Sequence, residues 1–347
     1  MILITGTTGL VGTHLLAYLI LQEENLGEII GLYRSEEKKA HCLKVIAEVY
    51  GNQIASDAKK IKWRKGDICD VPFLESIFPE VKFVYHCAGL ISNAPSKEGQ
   101  LKKVNVEATA NLVNLSIDYK IKKFCHLSSI ASLGEAINNA PINEENYKEE
   151  HGKASLYSIS KYGGEMEVWR GTQEGLNAVI LNPGVIIGEG FYSTGSGEII
   201  KKVGENFSIY IDKVTGFVDV KDVTSAMYKA LNSNFYNERY ILVSENLSMK
   251  QIQFELADLL NKRKPFIKLR KWMLISFIVA ETLLSLFKLS KRKLSFSTVH
   301  DALKGKKYDA KKSKNDLGIS YMPIKENLKR VTSHYLSSHI QKISKPL

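Results

Sequence analysis

The chain has 347 residues, 44% of them hydrophobic and 24% charged, a composition that excludes disordered and fibrous classes, and its length leaves room for a large buried core. Its formal charge is +11, but ten Lys/Arg against one acid, Glu281, fall between Lys262 and Lys293, so the excess is local and no nucleic-acid-binding motif accompanies it. Cys42, Cys69, Cys87 and Cys125 are far apart, which argues against a disulfide framework or a metal site and for a reducing compartment. Met1 runs directly into an apolar strand, so the expected location is cytoplasmic.

Six short β-branched runs predict strands at Ile2–Thr5, Ile29–Tyr33, Ile61–Arg64, Phe83–His86, Phe124–Leu127 and Ala178–Leu181. Segments of helical period separate them, among them Leu10–Leu21, Val104–Tyr119 and Ser158–Gln173. Strands alternating with helices imply βαβ units, so the expected fold is α/β, a Rossmann-type doubly wound parallel sheet with right-handed crossovers. After Pro183 the pattern turns to glycine-punctuated loops and then mainly helices. This predicts a cofactor and catalytic domain over 1–185. Residues 186–347 would form a smaller, mainly helical substrate lobe, discontinuous and sending segments back to the main domain.

The first strand leads into Gly6-Thr-Thr-Gly9-Leu-Val-Gly12 and an apolar helix. In this arrangement Gly6 makes a tight turn, Gly9 lets a pyrophosphate approach the backbone, and Gly12 packs helix against strand. Thr8, Leu10 and Val11 complete the cradle, and the helix N-terminus offers free N–H groups and a positive dipole end. Arg34 ends the second strand with Lys38 and Lys39 just beyond, a basic environment that favours NADP over NAD at the adenosine ribose. Asp67-Ile68 follows the third strand, where a carboxylate can accept from an adenine amino group. Ala88-Gly89 after the fourth strand are small enough for close cofactor approach. His86 reads as a structural histidine.

Tyr157 and Lys161 are four residues apart and share a helix face, where an ammonium favours the phenolate and lowers the phenol pKa. The same spacing recurs at Tyr119/Lys123, Tyr308/Lys312 and Tyr321/Lys325. Position separates them, because Tyr157 alone opens the helix after the fifth strand. That strand ends in Ser128-Ser129; Ser129 is placed to polarise a substrate oxygen, and Ser128 is the structural alternative.

Taken in order, Thr5–Gly12, Asp67-Ile68, His86-Cys-Ala88, Asn105–Thr109, Leu127-Ser-Ser129, Tyr157-x-x-x-Lys161 and Asn182-Pro-Gly184 resemble the extended short-chain dehydrogenase/reductases. The resemblance implies that Ser129 orients a carbonyl and Tyr157 exchanges the proton. Lys161 would bind the nicotinamide ribose, Pro183 would lie by the nicotinamide, and a homodimer is expected. Ile130-Ala131 stand where sugar-nucleotide dehydratases carry an Asp-Glu pair. Asn182-Pro-Gly-Val-Ile-Ile-Gly188 with Thr215–Val220 looks more like the dihydroflavonol reductase and 3β-hydroxysteroid dehydrogenase branch than like sugar-nucleotide epimerases. The implied activity is hydride transfer between NADP(H) and a ketone or aldehyde/alcohol pair on a fairly apolar small molecule. The alternatives are an epimerase acting by transient oxidation and a non-catalytic cofactor-binding scaffold.

Trp272–Phe287 is a sixteen-residue apolar segment flanked by lysine and arginine, too short to span a bilayer and interrupted by Glu281. A core or dimer helix, a lid over an apolar substrate, and a weak peripheral contact with anionic lipid through 262–293 all fit it.

Overall fold

The computed structural model describes residues 1–22, 28–136, 138, 140–148, 154–286 and 303–343, with side chains 283–286 and 339–343 also left aside. The predicted segment Trp272–Phe287 lies within the described residues except for its last position. So does the basic stretch 262–293 as far as Leu286.

Seven strands form the main sheet: β1 (Ile2–Thr5), β2 (Ile29–Tyr33), β3 (Lys62–Lys65), β4 (Phe83–His86), β5 (Lys123–Leu127), β6 (Ala178–Pro183) and β10 (Glu238–Leu242). Their spatial order is β10-β6-β5-β4-β1-β2-β3, all parallel. The expected doubly wound sheet is therefore present, and its order reverses between β1 and β4, where the carboxyl ends of strands in open α/β sheets leave a ligand crevice. In-register pairs Thr5↔His86 and His86↔His126 bring the ends of β1, β4 and β5 to one edge.

Apolar side chains from helices cover both faces. Leu15, Leu16, Ile46 and Met227 pack on one, and Leu74, Leu112, Val113 and Val168 on the other. Strands buried on both sides read as continuous apolar runs, which is why β1, β2 and β4 could be placed residue for residue. The third strand lies one position later than expected, at Lys62–Lys65. The helix expected over Val104–Tyr119 is a π-helical turn at Lys102–Glu107 followed by an α-helix at Ala108–Asp118.

Beyond β6, strand β7 (Val185–Ile187) leaves the main sheet. It pairs with β9 (Val214–Asp219) in a three-stranded sheet completed by β11 (Glu245–Ser248). A two-stranded sheet joins β8 (Ile209–Tyr210) to β12 (Ile267–Lys268). Arg330, on the C-terminal helix Ile324–Ile343, holds both carboxylate oxygens of Asp219 at 2.8 and 2.7 Å and reaches Glu189 at 3.0 Å. Asp219 also caps the helix Val220–Asn232 by accepting from the Lys221 N–H, so one carboxylate fixes a strand end, a helix start and the C-terminal helix together.

Candidate active site

The turn after β1 has the geometry expected of a phosphate cradle. Gly6 adopts φ +68°, and a Cβ there would sit 2.6 Å from the Ala88 backbone nitrogen; at Gly12 it would sit 2.2 Å from the Gly6 carbonyl. Only glycine fits at these positions, one for the turn and one for the close packing of helix Leu10–Gln22 on β1. At Gly9 an added Cβ would meet nothing nearer than the Gly6 oxygen at 3.4 Å, an ordinary contact, so the backbone there is not crowded by the protein. Thr8, Leu10 and Val11 occupy the turn and first helical residues around it.

His86, beneath the turn, is fully buried. Its Nδ1 is 2.7 Å from the Thr5 hydroxyl and its Nε2 is 2.9 Å from the Thr109 hydroxyl. Burial pushes its pKa down to about 3, with Lys161 adding to the effect, so it is a neutral structural residue.

The catalytic candidates converge at the next two strand ends. Leu127 closes β5, and its carbonyl accepts a hydrogen bond from Lys161 Nζ at 2.8 Å. The Ser129 hydroxyl accepts from the Ala131 N–H at 3.1 Å and is near enough to Tyr157 to favour its phenolate. Tyr157 begins the helix Leu156–Gln173, which Ser155 caps, and its N–H donates to Asn93 Oδ1 at 3.4 Å. A Cβ at Gly89 would come within 3.9 Å of Lys161 Nζ, which joins the Ala88-Gly89 segment to the catalytic helix. The three other Tyr/Lys pairs are elsewhere: Lys123 begins β5 at the opposite edge and donates to the Ala230 and Ser233 carbonyls, Tyr308 packs in a separate apolar cluster, and Tyr321 bonds Ser313.

One electrostatic expectation is overturned. Burial pushes the Tyr157 phenol up, and the hydrogen bond from Ser129 only partly counters it. Lys161 does not lower it, because its ammonium is turned to the Leu127 carbonyl. Burial instead pushes Lys161 itself down to about 8, against the raising influence of Glu165 and Cys87. The charged form is thus lost at a lower pH than in free lysine, near 10.4. In the reductive direction, kcat/KM is expected to fall as pH rises through about 8. A pH profile that stays flat up to about 10, the range of a phenol, would show that the Lys161 charge is not needed.

Three residues behind these groups escaped the sequence reading. Glu165, one helical turn beyond Lys161 and fully buried, accepts at Oε2 from Ser128, Ser132 and Asn182 at 2.8, 2.6 and 2.9 Å. Its Oε1 takes the Arg239 guanidinium of β10 at 2.9 Å. Asn182, at the end of β6, also donates to the Ser129 carbonyl at 3.1 Å. Ser128 is therefore the structural serine, and the turn carrying Ser129 is fastened from below by one carboxylate. Asn105, in the π-helical turn, accepts from the Leu90 N–H at 2.7 Å and donates to the Ser160 hydroxyl at 2.9 Å, tying the catalytic helix to the segment after β4. Its presence in the Asn105–Thr109 motif was the available signal; for Glu165 there was none.

At the other end of the crevice, Arg34 follows β2 and lies 3.5 Å from Asp67 Oδ2, both largely exposed. Burial works to raise the Asp67 carboxyl, but the Cys69 N–H and Arg34 outweigh it and hold it below the ordinary value. The Ile68 side chain is buried beside it. Lys39 is not directed at this point; it stacks over Tyr33 and Trp63. Glu36 and Glu37 in the first turn of the following helix bring acidity that the basic count had passed over. Pro183 is buried at the end of β6, on the same sheet edge as Ser129.

Comparison with known proteins gives the family. Residues 2–242 match the model of the NAD dependent epimerase/dehydratase family. A candidate dihydroflavonol 4-reductase of Synechocystis sp. is 24% identical over 343 residues, covering 97% of this chain and 94% of that protein. A UDP-glucose 4-epimerase of Caenorhabditis elegans is 29% identical over 230 residues, 61% of each chain. The solved UDP-glucose 4-epimerase of Thermotoga maritima superposes with a TM-score of 0.74 at 20% identity, over 97% of this chain and 99% of that one, a likeness of fold. With a glycine cradle at the switch point and the family pattern running through more than two thirds of its length, the chain belongs to the NAD dependent epimerase/dehydratase family, an enzyme family that includes reductases, epimerases and dehydratases.

Proposed function

We propose that the chain is an NAD(P)-dependent oxidoreductase acting on a CH–OH group, working between a ketone or aldehyde and its alcohol on a fairly apolar small molecule, with NADP preferred. The observation that carries this reading is the convergence of Ser129, just past β5, with Tyr157 and Lys161 of the following helix at one sheet edge, where Lys161 is buried and donates to the Leu127 carbonyl of β5.

The residues fit the cofactor. Gly6 and Gly12 close the turn by filling all available space, and Gly9 leaves its backbone open toward the helix N-terminus, where a pyrophosphate is favoured. Ala88, Gly89, Asp67, Ile68, Lys161 and Pro183 would line the rest. When bound, NAD(P) supplies or accepts the hydride. The protein's own part is to hold the substrate oxygen between two hydroxyls. Ser129 donates to that oxygen as negative charge builds on it, and Tyr157 delivers the proton in reduction or receives it in oxidation. Lys161, anchored on the Leu127 carbonyl, keeps its positive charge at the sheet edge through neutral pH, where it would hold the nicotinamide ribose.

Support for the reductase branch comes from Ile130-Ala131 after Ser129 and from the dihydroflavonol 4-reductase relative that spans nearly the whole chain. Epimerase chemistry begins with the same oxidation and has relatives of comparable identity. Turnover separates the two: a reductase consumes NADPH stoichiometrically with a carbonyl substrate, whereas an epimerase returns the hydride and leaves the nicotinamide absorbance unchanged.

Fluorescence titration tests the cofactor reading. NADPH should bind more tightly than NADH, and Arg34→Ala should remove about tenfold to a hundredfold of NADPH affinity, the worth of a charged hydrogen bond, while leaving NADH unaffected. The exposed Arg34–Asp67 pair is too weak to hold the arginine back from a 2′-phosphate. Equal affinity for both cofactors in wild type and variant would overturn the NADP preference, and no binding of either would overturn the cofactor reading itself.

A further inference from the structure

Away from the crevice, the helix Lys271–Leu286 is built inside out. Its inward stripe holds Ile278, 1% exposed, together with the carboxylate-bearing Glu281, 6% exposed. Its outward side carries Trp272 at 63%, Phe277 at 48% and Val279 at 44%, with Ile275 also exposed. Just ahead of it Phe266 is 56% exposed, and Ile267 is exposed beside it. A surface helix of a water-soluble domain presents the opposite pattern, and a cluster of large apolar side chains left outside marks a contact site.

The charge around this face selects the partner. Lys262, Arg263, Lys264, Lys268, Arg270 and Lys271 are all exposed beside the apolar residues. Over 262–293 the sequence carries ten cations against Glu281, a net +9, and Glu281 is turned inward. Lys264 and Lys268 face Asp258 and Asp212, which leaves Lys262, Arg263, Arg270 and Lys271 to set positive charge against positive charge if two copies met through this face. Among the described residues no helix is long and apolar enough to cross a membrane. Exposed tryptophan and phenylalanine ringed by lysine and arginine suit the headgroup layer of an anionic bilayer, where aromatic rings enter the acyl boundary and cations meet lipid phosphates.

We propose that this chain docks on anionic membrane surfaces through residues 262–282, the helix lying in the interfacial plane with Trp272 and Phe277 inserted. The inference is independent of the reaction proposed above.

Co-sedimentation of the full chain tests it, using vesicles of equal parts phosphatidylglycerol and phosphatidylcholine against phosphatidylcholine alone. The protein should pellet with the anionic vesicles and be released by high salt. Lys262→Gln, Arg270→Gln and Lys271→Gln spare the cations that already face Asp258 and Asp212. Each should weaken partitioning about fivefold, and the three together about a hundredfold. Trp272→Ser/Phe277→Ser should weaken it at any salt while leaving NADPH titration unchanged. Absence of binding to the anionic vesicles, or equal binding to both kinds, would overturn the proposal. So would a dimer in solution that the Trp272→Ser/Phe277→Ser variant dissociates, since the face would then belong to a second copy.

Discussion

In a Tyr157→Phe variant, kcat is expected to fall by about 10²- to 10⁴-fold while the dissociation constant for NADPH is unchanged. The substitution keeps the ring and removes one hydroxyl. The helix start it sits on is held independently, by the Ser155 cap and by the Asn93 side chain on the Tyr157 N–H, so the backbone has no reason to move. Ser129 loses its phenol partner but keeps the Ala131 N–H that orients it. What disappears is the proton donor. Ser129→Ala should cost about 10²- to 10³-fold, as the loss of one oxyanion donor does elsewhere. Steady-state rates beside fluorescence titration and a melting curve separate the cases. Full activity in Tyr157→Phe would remove the tyrosine from the chemistry. A wild type that binds NADPH and turns over no carbonyl or sugar substrate would leave a binding protein on an enzyme fold.

Legibility in the sequence followed the range of the forces involved. The glycine cradle is local: turn, backbone approach and helix packing are set by residues three apart, so Gly6, Gly9 and Gly12 could be assigned roles from spacing alone. Strands β1, β2, β4, β5 and β6 were legible because burial on both faces demands short apolar runs, whereas the edge strand β3, half exposed, was placed one residue early. Strand β10 was not, and the region after Val220 was read as mainly helical. Its Glu238-Arg239 beginning looks solvated; Arg239 is buried at the sheet edge only because Glu165 and the Glu144 carbonyl receive its guanidinium. Glu165 is the other half of the same blindness. Placed four residues after Lys161, it reads as the polar side of a surface helix, and its three donors come from positions 128, 132 and 182. The lowered phenol pKa was inferred from helical spacing, which places two side chains on one face without saying where the ammonium points. The π-helical turn at Lys102–Glu107 shifts the register of a helix whose sequence gives no sign of it.

The buried carboxylate yields the largest expected effect on stability. In Glu165→Gln, the new NH₂ group must face either Arg239, which can only donate, or Asn182 Nδ2, which also only donates toward it. Either orientation leaves a buried donor opposed by a donor, so the variant should lose about 3–5 kcal/mol, the cost of breaking a buried ion pair. For a chain of this size that lowers Tm on the order of 4–7 °C. Arg239→Leu should cost a similar amount by stranding the Glu165 charge. In the double variant the amide oxygen can turn to the three donors and its NH₂ no longer meets a cation, so the loss should be well below the sum of the singles. Additive losses would show that the two residues do not act as a unit. Stability alone would not make Glu165 part of the active site; the pH profile can. Since Glu165 favours the charge on Lys161, its neutralisation should move the alkaline limb of kcat/KM below about 8. A variant that melts early but keeps that limb in place would confine Glu165 to holding the Ser129 turn.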